Sequence, residues 1–176
     1  MLTAGFAGVH LRIAAFFMEN VLLIDGRDIR ESGRIANAFG DCKLSWISGA
    51  DVGAMAASLL ANPDLASERV IVAGGVEQLT YAQVAETIAS VVSRPVIYEE
   101  VTSPAWREKL IAASTERGEP NIRGAEHLVA QSVALRSRPP LPVTDHVRKL
   151  VGRAPVSFAE FVDAHRAQLT PEQTVH

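Results

Sequence analysis

The residues of this chain best suited to chemistry are flat and uncharged. Phe16 and Phe17 stand just before Asn20, and Trp46 follows further along. Aromatic faces offer stacking surface to a quinone or another aryl ring, and an amide such as that of Asn20 can donate to a ring carbonyl and accept from a group beside it. The competing role for Phe16, Phe17 and Met18 is core packing, and a buried Trp46 needs a partner for its indole nitrogen. Charged and nucleophilic candidates fall away on spacing. Asp51 could serve as a base, but Ser48-Gly49-Ala50-Asp51 reads as a capping box that already employs the carboxylate. His10, His127, His146, His165 and His176 are too widely spaced for a metal cluster, and Cys42 has no partner at ligand spacing. Glu99 and Glu100 are adjacent in an expected strand and so point to opposite faces. Ser114 and Ser132 lack the flanking glycines of a nucleophile elbow. No catalytic residue and no metal ligand is assigned.

Elements able to hold such residues are within reach of the chain's size. At 176 residues it suits one domain, and chains of that size bury roughly 70% of their unfolded surface. With 48% hydrophobic and 21% charged residues and a formal net charge of -3, it has the composition of a soluble globular protein. Basic residues are scattered among comparable acids without a cationic stripe, so no nucleic-acid partner is expected. The single cysteine and the lack of a signal peptide point to the cytoplasm. The apolar stretches 14–18 and 21–24 are broken by Glu19 and Asn20. They fall short of the ~20 residues that cross a bilayer, so no membrane span is expected.

Residues 9–15 carry too few polar side chains for a strand with one wet face, which predicts a parallel strand covered on both sides. A helix is expected from Phe16, a charged surface loop over 27–34, and short strands over 34–38 and 43–47. Ser48 opens a helix with Ile47 and Val52 at staple positions and Val52, Met55, Ala56, Leu59 and Leu60 as its apolar stripe, stopped by Asn62-Pro63. The β-branched run 69–73, closed by Gly74-Gly75, reads as a buried strand. Thr80 and Gln83 form a second capping box, heading a helix through Val92. A strand over 95–101, a helix capped by Ser103 with Trp106, Leu110 and Ile111 as its apolar face, and a helix over 125–135 come next. The proline-rich stretch 138–142 is an extended connection. Helices over 144–151 and 157–165 follow, the second boxed by Ser157 and Glu160, and a polar tail frays from residue 168.

Four segments in order resemble the NmrA-like branch of the short-chain dehydrogenase/reductase superfamily. They are LRIAAFFMEN at 11–20, KLSWISGADV at 43–52, TYAQVA at 80–85 followed by RPV at 94–96, and VTD at 143–145 followed by GRAP and SFAEF within 152–161. Their order and spacing across nearly the whole chain carry the resemblance. It implies an α/β fold, a partial Rossmann-type (truncated doubly wound) sheet with a helical C-terminal substrate-binding region. The single domain 1–176 would comprise residual Rossmann-like strands and helices over 1–79, the substrate-binding part over 80–168, and a tail over 169–176.

The family binds NAD(P)(H) and includes quinone and dye reductases as well as non-catalytic redox sensors. Carried over by position, Ala15, Phe16 and Phe17 would bind the nicotinamide end of the cofactor, while Met18, Asn20, Trp46 and Ile47 would contact substrate. The family's glycine-rich phosphate loop and the superfamily's Tyr/Lys region have no counterpart. Gly5-Phe6-Ala7-Gly8 lacks both a preceding strand and a following helix. The family's usual proline after Leu-Arg is here Ile13. The chain is therefore expected to be the C-terminal half of an NAD(P)-linked oxidoreductase, keeping the site for a small aromatic, quinone-like or carbonyl ligand without binding dinucleotide alone. A non-catalytic ligand- or partner-binding sensor is the alternative. A cofactor-independent isomerase or cyclase is another, though no convincing acid/base pair supports it. The strand over 9–15 would have one bare edge, so two copies are expected to pair there, or to pack Phe6, Phe16 and Val21, in an isologous homodimer.

Overall fold

Short apolar runs alternating with capped helices build a layered α/β arrangement. The computed structural model describes residues 8–66, 68–116 and 118–171. Within them the strands are β1 (His10–Ala14), β2 (Phe16–Phe17), β3 (Arg34–Asn37), β4 (Leu44–Ile47), β5 (Val70–Gly74), β6 (Glu77–Leu79) and β7 (Ile97–Glu100). The helices are α1 (Glu19–Ser32), α2 (Gly49–Ala61), α3 (Tyr81–Val92), α4 (Ser103–Glu116), α5 (Ile122–Arg136), α6 (His146–Val151), α7 (Phe158–Ala164) and α8 (Arg166–Leu169). Strands β1 and β5, β2 and β4, and β3 and β7 pair in parallel, and β6 joins β4 antiparallel. The α/β expectation is met. Phe6 of the anticipated dimer contact, Gly5, and His176 of the tail lie outside the described residues.

Several elements depart from expectation for definable reasons. β1 is not covered on both sides. Leu11 and Ile13 are half-buried toward α2 and α6, whereas His10 and Arg12 are exposed. Phe16 does not open a helix, because Phe16 and Phe17 are drawn into parallel pairing with Trp46 and Ile47. The Met18 amide then donates to the Ile47 carbonyl at 3.0 Å before α1 starts. Residues 27–32, expected in a loop, continue α1. Val21, Asp25 and Ile29 line its buried face, Arg27 pairs with Glu31 one turn on, and Gly33 closes it in the left-handed conformation. A β-carbon on Gly33 would also lie 2.6 Å from the Pro95 carbonyl oxygen. Thr102 rather than Ser103 caps α4, its hydroxyl accepting from the Ala105 amide at 3.4 Å. Leu60 is 84% exposed rather than part of the α2 core stripe. The expected frayed tail instead begins with α8, whose Leu169 is fully buried.

Two clusters hold the elements together. Phe16, Phe39, Trp46, Tyr81, Trp106 and Phe158 form the aromatic centre of the first. Phe39 stacks on Tyr81 at 5.3 Å and meets Trp106 edge-on at 5.3 Å. The second joins Ile47 and Ile71 of the strands to Met55 of α2 and Val147 and Leu150 of α6. Gly75 lets the chain pass close to β4, since a β-carbon there would lie 2.6 Å from the Trp46 amide nitrogen. Among the described residues no helix is long and apolar enough to cross a membrane.

Candidate functional site

Parallel strands of open α/β sheets present their carboxyl ends to ligands. β1 ends at Ala14, and the residues immediately after it build a cleft. Side chains alternate along the short β2. Phe16 turns inward, 8% exposed, packing edge-on against Phe39 at 5.4 Å and near Trp46 at 6.0 Å. Phe17 turns outward and is 36% exposed. Asn20 follows in the first turn of α1. Opposite stands α5, whose His127, Leu128 and Gln131 complete a cleft of about 300 Å³ with Ala15, Phe16, Phe17 and Asn20. Among the described residues its lining contains no carboxylate, lysine or arginine. The space is at the lower end of small-molecule sites, large enough for an aromatic ring.

Of the residues expected at the site, Ala15, Phe16, Phe17 and Asn20 are brought together. Met18, Trp46 and Ile47 are not. All three are fully buried in the core. The Trp46 indole N–H donates to the Leu79 carbonyl at 3.1 Å, giving the ring the partner its burial requires. Ile47 packs instead beneath α2 and α6. His127, Leu128 and Gln131 escaped sequence reasoning. The four-residue spacing of His127 and Gln131 was a signal that they share a helix face, but nothing local indicates that this face meets Phe17.

The other charged candidates are occupied elsewhere. Ser48 accepts from the Asp51 amide at 3.1 Å, yet the Asp51 carboxylate does not return to Ser48. It accepts from the Val156 amide at 2.9 Å and pairs with Arg153 at 2.7 Å. Glu19 reaches the start of α2, accepting from the Gly49 amide at 2.8 Å. Glu99 pairs with Arg34 and Glu100 with Arg136. Among the described residues no group of three His, Cys, Asp or Glu side chains could hold a metal ion.

A larger cavity of about 520 Å³ lies between α1 and α4, with Arg27, Asp28, Lys109 and Glu116 among its lining residues. These charges neutralise one another: Arg27 pairs with Glu116, and Lys109 with Asp28 at 2.8 Å. Lys109 also donates to buried Asp25 at 3.0 Å. Burial nevertheless pushes the Asp25 carboxyl from 3.8 up to about 6, with Lys109 opposing the rise. The residues that line this cavity come from α1 and α4 and include none from the carboxyl end of β1, so the smaller cleft is the better candidate.

A dinucleotide needs free amides for its pyrophosphate as well as a place for its ring. Gly74 ends the parallel strand β5 and Gly75 follows it, but both are already engaged. The Gly74 amide donates to the Thr144 hydroxyl at 3.0 Å, and a β-carbon on Gly74 would strike the Pro142 carbonyl. The described residues thus suit a ring at the cleft and hold no glycine-rich strand-to-helix turn open to phosphate.

No protein-family model matches the chain. In sequence it is similar to an NAD(P)H azoreductase of Xenophilus azovorans, with 34% identity over 152 residues, 86% of this chain and 51% of the azoreductase. In structure it is similar to the NADPH-dependent quinone oxidoreductase QOR2 of Escherichia coli complexed with NADPH. There the TM-score is 0.70 and the identity 21%, over 86% of this chain and 51% of that one. The fold is that of Rossmann-like reductases. The triphenylmethane reductase of Citrobacter sp., complexed with NADP(H), shares it with a TM-score of 0.68 and 18% identity, over 85% of this chain and 50% of that one. The chain spans about half the length of each of these proteins.

Proposed function

We propose that this chain provides the small-molecule-binding part of an NmrA-like, NAD(P)H-linked reductase acting on quinone-like or other aryl carbonyl compounds. The observation that carries the reading is the neutral cleft at the carboxyl end of β1, walled by Phe17 and Leu128 and edged by Asn20, Gln131 and His127. The similar proteins support it, being reductases named for azo, quinone and triphenylmethane compounds.

In this reading Ala15, Phe16 and Phe17 would border the nicotinamide ring of a bound cofactor, and Asn20 would edge the substrate beside it. Bound NAD(P)H would supply the hydride of the reduction. About 300 Å³ admits a ring but not a whole dinucleotide, and the amides that would receive pyrophosphate are not among the described residues. The chain by itself is therefore proposed to bind aryl ligands while holding NADPH weakly. Two copies are proposed to pair along β1.

Titration of the chain with NADPH, followed by nicotinamide fluorescence, and with a soluble anthraquinone, followed by amide chemical shifts, tests this. The expected result is weak NADPH binding, with anthraquinone shifting the amides of Phe17, Asn20 and Gln131. Anthraquinone shifts confined to the α1–α4 cavity would refute the site. Tight NADPH binding by the chain alone would refute the proposed division of labour.

A further inference from the structure

We infer that His127 is the specificity-determining residue of the cleft, the donor that recognises an oxygen carried on a flat ring. The inference rests on the aryl-ligand reading above and adds the atom being recognised. α5 brings His127 and Gln131, one turn apart, to the cleft, with Leu128 beside them. A planar ring placed between Phe17 and Leu128 would bury both its faces against carbon, leaving its edge to meet polar groups. Asn20 and Gln131 are neutral amides, whereas His127 is the lining residue with an ionisable side chain.

His127 is also uncommitted. It has no hydrogen bond or ion pair among the described residues, while the His165 ring nitrogen Nδ1 is engaged with the Phe161 carbonyl at 2.8 Å. The adjacent carboxylate, Glu126, is held by Arg107 at 2.9 Å and is not part of the lining. A neutral imidazole donates through one nitrogen and an imidazolium through both, so in either state His127 can address a ring carbonyl. A ring without oxygen leaves that donor unused.

Anthraquinone-2-sulfonate and anthracene-2-sulfonate have the same ring framework and charge and differ by two carbonyl oxygens. Calorimetric titration of the whole chain is expected to give about fivefold to tenfold tighter binding of the quinone, the worth of one modest hydrogen bond. His127→Leu is expected to equalise the two compounds without weakening the hydrocarbon. His127→Gln, which keeps a donor, is expected to restore part of the preference. His127 is exposed, so both variants are expected to melt with the parent chain. A quinone preference that persists in His127→Leu, or equal binding of both compounds by the parent, overturns the role of His127 and leaves the aryl reading standing. If neither compound binds, that reading falls and this inference with it.

Discussion

Phe16 and Phe17 are chemically identical neighbours that both border the cleft, yet the pleat of β2 turns Phe16 into the aromatic core and leaves Phe17 partly exposed. Phe17→Ala is accordingly expected to cost under about 1 kcal/mol of stability, as a partly exposed position, while weakening aryl binding. Trp46→Ala leaves a cavity at the centre of the ring cluster and is expected to cost roughly 3–5 kcal/mol in urea denaturation. Asp25 carries a pH signature. Burial lifts its folded-state value from 3.8 to about 6 despite Lys109 at 3.0 Å. Between those values the native state keeps the proton that the unfolded chain has lost, so stability falls as pH rises through the window and is level above it. The fall is worth about 3 kcal/mol, at about 1.4 per pH unit. Asp25→Asn is expected to abolish this contribution, seen as the difference between the two stability profiles from about pH 4 to 7. Parallel profiles would mean that Asp25 stays ionised in the fold.

Helix caps separate what neighbouring residues can encode from what they cannot. The Thr80/Gln83 and Ser157/Glu160 boxes form as their sequences read, because both partners lie within one turn. Ser48 and Asp51 have similar spacing, yet the carboxylate is claimed by Val156, 105 residues away. Thr80→Ala is thus expected to cost about 1 kcal/mol. Asp51→Ala is expected to cost about 2–3 kcal/mol by leaving the Val156 amide unsatisfied, and thermal melts of the two variants would rank them. The same distinction explains α1. Its charges Arg27, Asp28, Arg30 and Glu31 suggest a loop, and a carboxylate at the core position 25 interrupts the apolar stripe that would have announced a helix. Among the described residues it is Lys109, from α4, that makes that position tenable. The cleft was half legible for a related reason. The wall from β2 and α1 is one continuous motif, whereas the wall from α5 is joined to it by tertiary packing alone.

At the scale of the whole molecule, β1 pairs with β5 on one edge and has no strand on the other among the described residues. The His10 amide donates to the Arg69 carbonyl at 2.8 Å, so alternation turns the amides of Leu11 and Ile13 toward the open edge. Ile13→Pro would therefore spare the β5 ladder while blocking a further strand. If two copies pair there, sedimentation velocity is expected to show a concentration-dependent dimer in the parent chain and a monomer in the variant. A dimer that persists in the variant would place the contact elsewhere. The opposite end of the sequence has its own influence. Arg30 donates to the Gln168 carbonyl at 2.8 Å, and Leu169 of α8 is buried where α8 meets α1 and α3. An early helix thus gains its final cover from residues that leave the ribosome more than a hundred positions later. Until then the part of α1 that Leu169 covers stays open in the nascent chain, one more apolar patch that synthesis must carry before the fold closes.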